Sequence, residues 1–332
     1  MRILVAPDKF KGTLSAADAA EALASGLRAA GHEVVTCPLA DGGEGTLDVL
    51  GGPNRTTLVS GPLGDPVEAR WRLSGRDAVI EMACASGLAL VGGAEANDPI
   101  AASTYGTGEL ITAAVDAGAR HVVIGVGGSA TTDGGLGALR AMEPLQRYRG
   151  VRLEVACDVR LGFVAAAEVF APQKGASAAQ VELLTRRLER LVQVYRESHG
   201  TDVSALEGAG AAGGLAGGLA CAGAVLVPGF ELVADHLDLD EMVEAVDLVV
   251  TGEGFLDEES FDGKVVGGVV ELGASLGVPV VAVVGECFAD ATDRVATVSL
   301  VAEHGRVRSM SATAECLTGS AQAVLDAVRR AR

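Results

Sequence analysis

Short apolar runs that stop abruptly at acidic, glycine-rich loops constrain the fold of this chain more than any other feature. The runs and the acids that follow them are residues 2–6 with Asp8, residues 34–39 with Asp41 and Glu44, and residues 247–251 with Glu253. A helix is predicted between the first two runs, from Ser15 as its N-cap to Gly31. Buried strands joined by helices form parallel sheets, and ligands bind at the carboxyl ends of such strands. We therefore expect these acids to lie along one edge of a parallel sheet.

The middle of the chain follows a different pattern. Residues 61–80 alternate between polar and apolar side chains around Trp71, which predicts antiparallel strands. Helices are predicted near residues 106–118, 134–142 and 177–198 and, in the C-terminal part, near residues 265–276 and 320–330. We therefore predict an α/β protein in which one domain is inserted into another. The predicted domains are a doubly wound parallel-sheet domain of residues 1–60 and 245–332 and an inserted mixed α/β domain of residues 61–244.

The overall composition narrows the partners that this chain can have. The net charge of −18 opposes binding to a nucleic-acid backbone or an anionic membrane, and the 3% of aromatic residues leaves few stacking platforms for bases. Six cysteines without a Cys-x-x-Cys pair favour a reducing setting. The uncharged, glycine-rich stretch 208–230 is interpreted as a loop that leads into a tightly packed helix, with a membrane span as the alternative. We expect a cytoplasmic protein that binds a small molecule and neither nucleic acid nor membrane.

A glycine-rich loop follows the predicted strand at residues 121–125. Its small residues allow backbone N–H groups to approach an anion closely, and its hydroxyl groups add further donors. Three roles are open for Asp133 at the end of the loop: it can cap the next helix, hold magnesium or accept a proton. The loop residues that we predict to bind substrate or nucleotide are Gly127, Gly128, Ser129, Thr131 and Asp133.

Lysine occurs at only four positions, each in a glycine-rich or acidic segment: Lys9, Lys11, Lys174 and Lys264. A compact ammonium group suits a crowded phosphate better than the wide guanidinium fork of arginine does. The alternative interpretation is codon bias, with these four lysines retained by chance.

Glycine loops, clustered acids and isolated lysines are the parts that phosphoryl transfer needs. The sequence contains neither a P-loop motif nor Gly-x-Ser-x-Gly, and its Gly-x-Gly-x-x-Ala match lacks the acid expected downstream.

Taken together, these segments resemble the type I glycerate kinase family, in the right order and over nearly the whole chain. The most specific of them read Pro-Asp-Lys-Phe-Lys-Gly, Ala-Asp-Gly-Gly-Glu-Gly, Gly-Gly-Ser-Ala-Thr-Thr-Asp-Gly-Gly and Thr-Gly-Glu-Gly. The matching segments are residues 6–15, 40–45, 105–110, 127–135, 156–159, 172–176, 208–214 and 251–254. Each segment is short, but the ordered set is specific to that family.

The resemblance implies ATP-dependent phosphorylation of D-glycerate with Mg²⁺. It also implies a flavodoxin-like domain interrupted by a mixed α/β domain of the restriction-enzyme-like kind. Carried over to matching positions, the residues to which we assign catalytic roles are Asp8, Lys11, Asp158 and Lys264. Lys174 and Asp257 join the loop residues in substrate or nucleotide binding, and the expected metal ligands are Asp41, Glu44 and Glu253. A homodimer is left open.

Two departures from the family pattern bear on activity. Phe255 stands where the family has an arginine after Thr-Gly-Glu-Gly, so one cation expected near the cleft is missing. The segment after Asp158 and Val159 starts with Arg160 and lacks the family's Asn-Pro-Leu loop. The alternative hypothesis is therefore a non-catalytic or altered-substrate paralogue that retains an anion- or nucleotide-binding cleft. A dehydrogenase is a more distant alternative, which predicts binding of NAD.

Overall fold

A computed structural model describes residues 1–288 and 293–331 of the chain. The strands formed by these residues are, in chain order, β1 (Arg2–Val5), β2 (Glu33–Thr36), β3 (Arg55–Ser60), β4 (Pro66–Ser74), β5 (Asp77–Glu81), β6 (His121–Gly125), β7 (Arg152–Ala156), β8 (Val225–Val227), β9 (Leu248–Leu256), β10 (Val280–Cys287) and β11 (Ala296–Ser299).

The α-helices of the same residues are α1 (Ala16–Ala29), α2 (Thr46–Val49), α3 (Ala83–Ser86), α4 (Tyr105–Asp116), α5 (Leu136–Met142), α6 (Ala166–Phe170), α7 (Ala178–His199), α8 (Ala211–Ala220), α9 (Gly229–His236), α10 (Leu239–Glu244), α11 (Val265–Leu276), α12 (Leu300–His304), α13 (Arg306–Ser311), α14 (Thr313–Gly319) and α15 (Ala321–Ala331). Helices α1, α4, α5, α7, α11 and α15 confirm the helices predicted from the sequence. The predicted N-cap of α1 is also found, because the hydroxyl group of Ser15 accepts a hydrogen bond from the backbone N–H of Asp18 at 3.1 Å.

The chain divides into two compact units. The discontinuous unit comprises Met1–Asp41 and Phe230–Arg332, and the inserted unit comprises Gly42–Gly229. The predicted domain boundaries lie at residues 60 and 245, whereas the two compact units meet at residues 41/42 and 229/230, and the domain assignment stays a prediction. Strand β3 pairs with β4 in an antiparallel ladder, so β3 belongs to the sheet of the inserted unit. A sequence pattern identifies a strand without identifying its partner.

The sheet of the discontinuous unit has five parallel strands in the order β11-β10-β9-β1-β2. If the five strands are numbered within this unit, the order is 2-1-3-4-5, which is the flavodoxin-like arrangement. Helices cover both faces: Leu23 of α1 and Leu317 of α14 pack on one face with Ile3, and Val266 of α11 packs on the other face with Ala282. This doubly wound sheet confirms the predicted fold class.

The sheet of the inserted unit has six strands in the order β3-β4-β5-β6-β7-β8. Pairing is antiparallel from β3 to β5 and parallel from β5 to β8. The antiparallel part confirms the pattern predicted around Trp71, whose side chain is buried and donates a hydrogen bond to the Thr57 hydroxyl group at 2.9 Å. The unit is therefore mixed α/β, and its restriction-enzyme-like character stays a prediction.

Helix α8 occupies the uncharged glycine-rich stretch. It packs backbone against backbone on the loop that follows β6, since a Cβ atom on Gly213 would lie 2.1 Å from the Thr131 carbonyl oxygen and one on Gly218 would lie 2.6 Å from that of Gly134. Such close approach requires glycine. The interpretation as a loop leading into a packed helix is confirmed. Within residues 1–288 and 293–331, we find no helix with the length and apolar character needed to cross a membrane.

Candidate active site

Two carboxylates lie at the carboxyl ends of the two neighbouring central strands of the discontinuous unit. Asp8 follows β1, and Glu253 lies near the end of β9. The backbone N–H of Asp8 donates to the Gly252 carbonyl oxygen at 2.8 Å, which fixes the loop after β1 against the end of β9. The strand order reverses between β1 and β9, and in this class of fold ligands bind in the crevice at that point. The expectation that the acids line one edge of a parallel sheet is met for Asp8, Asp41 and Glu253.

Lys9 places its ammonium group between two of these acids. Its Nζ atom lies 3.5 Å from Asp8 Oδ1 and 3.8 Å from Asp41 Oδ1. Its backbone N–H also donates to Asp8 Oδ1 at 2.6 Å. We refer to Asp8, Lys9, Asp41 and Glu253 as the strand-end cluster. Lys9 was not among the predicted site residues, and the only sequence signal that could have selected it over Lys11 is its direct adjacency to Asp8.

Burial raises the pKa values of both central carboxyl groups toward 7. It raises the pKa of Asp8 from 3.8 to about 6, with the Lys9 charge opposing this rise and the Asp41 charge adding to it. It raises the pKa of Glu253 from 4.5 to about 7, with the nearby Ser260 side chain lowering this pKa and the charge of Asp8 raising it further. Two carboxyl groups that exchange protons near pH 7 are suited to proton transfer.

The raised pKa of Glu253 predicts a specific dependence of stability on pH. The unfolded carboxyl group ionises near 4.5 and the folded one near 7, so the folded state binds more protons in between. The stabilisation associated with the protonated form is therefore present below pH 4.5 and is lost as the pH rises through about 7. We expect Glu253→Gln to gain on the order of 1–3 kcal/mol of unfolding free energy relative to the parent chain between pH 5 and pH 8. Urea unfolding of both proteins in EDTA at the two pH values measures this, and an unchanged difference would contradict it.

The chemistry of Glu253 and Asp8 fits a magnesium ion. Glu253 Oε1 is buried and has no hydrogen-bond partner among the described residues, so it is available as a ligand. Mg²⁺ prefers carboxylate oxygens and is often held by one or two of them together with phosphate oxygens and water. The predicted ligand set of Asp41, Glu44 and Glu253 is less well supported. Within the part of the chain that the structure describes, no three His, Cys, Asp or Glu side chains are grouped so as to hold a metal ion. Glu44 is exposed and belongs to the inserted unit.

Three other predicted residues of the discontinuous unit have local contacts of their own. Asp257 caps the short 3₁₀ helix after β9, accepting from the backbone N–H of Ser260 at 3.1 Å. Lys264 occupies the N-cap position of α11, and its Nζ lies 3.4 Å from Glu259 Oε2. Lys11 is exposed. The predicted roles of these three residues in binding and catalysis stay predictions.

Parts of the glycine-rich loop of the inserted unit are closely packed. A Cβ atom on Gly127 would lie 2.8 Å from the Cα of Gly43, and Gly128 adopts a left-handed backbone with φ of 68°. Ser129 and Thr131 are buried. Gly128 itself is exposed, and the buried Thr131 hydroxyl group has no hydrogen-bond partner among the described residues. Their role in binding stays a prediction.

Asp133 and Lys174 hold this loop in place. The Asp133 carboxylate accepts hydrogen bonds from the backbone N–H of Thr104 at 2.8 Å, from its hydroxyl group at 2.9 Å and from the N–H of Gly135 at 3.1 Å. Lys174 is 4% exposed and donates from Nζ to the Thr131 carbonyl oxygen at 2.6 Å. Burial lowers the pKa of Lys174 to about 7, although the Asp133 charge acts in the opposite direction. These contacts hold the loop in its conformation, and the predicted roles of Asp133 and Lys174 in binding stay predictions.

Glu81 was missed by the sequence analysis although it organises the loop that carries Glu44. Its side chain is buried at the end of β5 and accepts hydrogen bonds from the backbone N–H groups of Gly45 at 2.9 Å and Leu47 at 2.7 Å. Burial raises its pKa, while these two hydrogen bonds lower it. No sequence motif marks Glu81, because its partners lie more than thirty positions earlier in the chain.

Two further predicted positions, Asp158 and Phe255, have contacts that the structure describes. Asp158 follows β7 and accepts from the backbone N–H of Gly229 at 2.6 Å, a contact within the inserted unit, and its predicted catalytic role stays a prediction. Phe255 packs edge-on against Phe288, with ring centroids 4.9 Å apart and an interplanar angle of 88°. Both rings remain exposed. At position 255 an aromatic contact therefore replaces the expected positive charge.

Comparison with known proteins assigns the chain to a family. The profile of the Glycerate kinase family matches residues 3–145 and 142–331. The chain belongs to the glycerate kinase family. A protein named glycerate kinase from Halalkalibacterium halodurans is 41% identical to it, over 85% of each chain. The Escherichia coli protein named glycerate 2-kinase is 38% identical, over 92% of this chain and 88% of its own.

A solved structure of this family has the same fold. The crystal structure of a "putative glycerate kinase 2" from Salmonella typhimurium LT2 superposes with a TM-score of 0.82 and 34% identity, covering 100% of this chain and 99% of its own. The resemblance seen in the sequence motifs is thereby confirmed over the full length. The family is one of kinases, so membership also supports the classification of the chain as a phosphotransferase.

Proposed function

We propose that this chain transfers the γ-phosphoryl group of ATP to a hydroxyl group of D-glycerate, giving phosphoglycerate and ADP. Membership of the glycerate kinase family supports the substrate and the reaction class. The observation that carries the proposal is the strand-end cluster, in which two buried carboxyl groups with near-neutral pKa values lie beside Lys9 at the crevice of a flavodoxin-like sheet. Phosphoryl transfer requires a carboxylate base, a metal-holding carboxylate and a cation in one place.

In this proposal Asp8 acts as the general base. With a pKa of about 6 it is mostly ionised at pH 7, so its carboxylate can take the proton from the substrate hydroxyl. The hydroxyl oxygen then bonds to the γ-phosphorus, and the bond from that phosphorus to the bridging β,γ-oxygen breaks to release ADP. The Lys9 ammonium group keeps Asp8 ionised and stabilises negative charge that develops on the transferring group. Lys11 and Lys264 remain the further predicted cations.

Glu253 is the residue that we propose to hold the metal. Its buried, unpartnered Oε1 would coordinate Mg²⁺ directly. Asp41 is the next candidate ligand, because its carboxylate lies beside Lys9 in the same cluster. Mg²⁺ bound there would neutralise charge on the β- and γ-phosphate oxygens. Glu253 would release its proton when the metal binds, because a ligating carboxylate must be ionised.

A coupled assay of ADP formation with D-glycerate, ATP and Mg²⁺ tests the function. We expect turnover that depends on glycerate, together with a phosphomonoester product visible by ³¹P NMR. The same assay without glycerate is the control for simple ATP hydrolysis. A folded protein that binds ATP in calorimetry but forms no phosphoglycerate would favour the non-catalytic paralogue instead. Phe255, which stands where a cation is expected, would then account for the lost activity. The cytoplasmic location and the homodimer stay predictions.

A further inference from the structure

We propose that the inserted unit carries a second binding site, specific for a small amphipathic anion, in a cavity on one side of α7. The ligand class is an organic molecule with a phosphate or carboxylate group on an apolar body about the size of a nucleoside. The residues that carry this proposal lie within the inserted unit and outside the strand-end cluster, and Asp133, which the sequence predicts to bind substrate or nucleotide, is among the residues that line the cavity.

The cavity has the size of a ligand site. Its volume is about 450 Å³, and three segments of the inserted unit line it: the loop around residues 99–102, the end of the glycine-rich loop with the start of α5, and the middle of α7. Small-molecule sites in proteins typically occupy about 300–1,000 Å³. A three-carbon acid such as glycerate would leave most of this space unfilled, so the shape favours a larger molecule.

The inner wall of the cavity is apolar. Pro99, Ile100, Leu136 and Leu191 line it, and none of these side chains carries a polar group. Apolar surface of this kind is stabilised when a ligand removes it from water, at roughly 25 cal/mol per Å². A fully hydrated ion such as inorganic phosphate gains nothing from these walls, so the ligand must have an apolar part.

The rim of the cavity is positively charged. Arg186, Arg187 and Arg190 of α7 all line it. Arg186 and Arg190 are one helical turn apart, about 6 Å along the axis, so their guanidinium groups can both reach one anionic group. Arg187 is held in place because its Nη1 atom donates to the Ile100 carbonyl oxygen at 2.9 Å. Planar guanidinium groups bind phosphate and carboxylate with two hydrogen bonds each.

Competing acids do not cancel this charge. Asp133 is the one carboxylate that lines the described cavity, and its oxygen atoms already accept hydrogen bonds from Thr104 and Gly135. Glu182 lies 3.8 Å from Arg186, but the Glu182 side chain is 74% exposed and the pair is weak in water. In a chain with a net charge of −18, three arginines around one apolar cavity form the kind of local positive site that an anionic ligand requires.

Titration of the full-length protein with the fluorescent sulfonate 8-anilinonaphthalene-1-sulfonate tests the proposal, because this probe combines an anionic group with an apolar body. We expect saturable binding that Arg186→Ala/Arg190→Ala weakens by about tenfold or more, the size of one lost charge-assisted contact. The charge-matched control is Arg149→Ala/Arg196→Ala, since both residues are exposed arginines of the inserted unit that do not line the cavity. This control should bind as the parent chain does.

A second variant and two competitors complete the test. Leu191→Asn should also weaken binding of the probe, because it removes part of the apolar wall while leaving the arginines in place. Displacement by AMP identifies a nucleotide as the natural class of ligand, and displacement by octanoate identifies an aliphatic carboxylate. Asp8→Asn should retain the binding, which separates this site from the proposed kinase reaction. Equal binding by the parent chain and the folded Arg186→Ala/Arg190→Ala variant, or displacement by neither competitor, would overturn the proposal.

Discussion

Replacing Asp8 by Asn should lower kcat for glycerate phosphorylation by about 10²–10⁴-fold, the range expected when a general base is removed. Asparagine has nearly the same shape and can still accept the 2.6 Å hydrogen bond from the backbone N–H of Lys9, so the loop after β1 should keep its conformation. The amide cannot take a proton from the substrate hydroxyl. The loss should therefore fall on kcat rather than on the KM for glycerate. Steady-state kinetics at saturating ATP, with circular dichroism to verify folding, measures both.

The matched control for this experiment is Asp326→Asn in α15, which removes an exposed carboxylate of the same unit. The Asp326 side chain is 48% exposed and paired with Arg329, so this variant should retain the parent activity. If Asp8→Asn retained more than about a tenth of the parent kcat, the assignment of Asp8 as the base would be wrong, since even weak general bases contribute more than that. Asp158 would then become the leading candidate.

Replacing Lys9 by Met should have two effects that occur together. The acid limb of the profile of kcat/KM against pH should move upward by about one pH unit, because the Lys9 charge is what lowers the pKa of Asp8 against its burial. The maximal rate should also fall by about 10²-fold, since the ammonium group no longer stabilises charge on the transferring phosphoryl group. Initial rates between pH 5 and pH 9 in buffers of constant ionic strength measure both effects.

Arg28→Met is the control for Lys9→Met, because it removes a cation of the same unit whose partner is the exposed Glu21. It should leave the pH profile in place. A lower rate in Lys9→Met with an unshifted acid limb would mean that the ionisation governing the reaction is not that of Asp8. A shifted limb with an unchanged maximal rate would restrict Lys9 to tuning Asp8, and would leave Lys11 or Lys264 as the cation on the phosphoryl group.

Local patterns were sufficient to predict most of the fold. The apolar runs that become β1 and β9 are continuous because both faces of a parallel sheet are buried, and this signal is strong in the sequence. The signal for α11 was equally clear. By contrast, the short helices α12, α13 and α14 were not predicted, since stretches of five to seven residues carry too little periodicity. The pairing of β3 with β4 was not predicted for another reason, because strand pairing is a tertiary property.

The site was only partly predictable for a related reason. Asp8, Asp41 and Glu253 follow from the rule that ligands bind at the carboxyl ends of parallel strands. Whether Lys9 or Lys11 faces the acids depends on the conformation of one loop, which no spacing rule specifies. The hydrogen bonds of Asp133 and Lys174 could not be predicted either, because their partners come together only when the glycine-rich loop folds against its unit.

The most direct test of the central claim is the position of the divalent metal. Crystals grown with Mn²⁺ and a non-hydrolysable ATP analogue would show the metal by its anomalous scattering. We predict a peak within about 2.5 Å of a Glu253 carboxylate oxygen, with the γ-phosphate oxygens on its other side and Asp8 nearby. A metal bound instead by Asp133 or Asp158 of the inserted unit, with no peak at the strand-end cluster, would contradict the account.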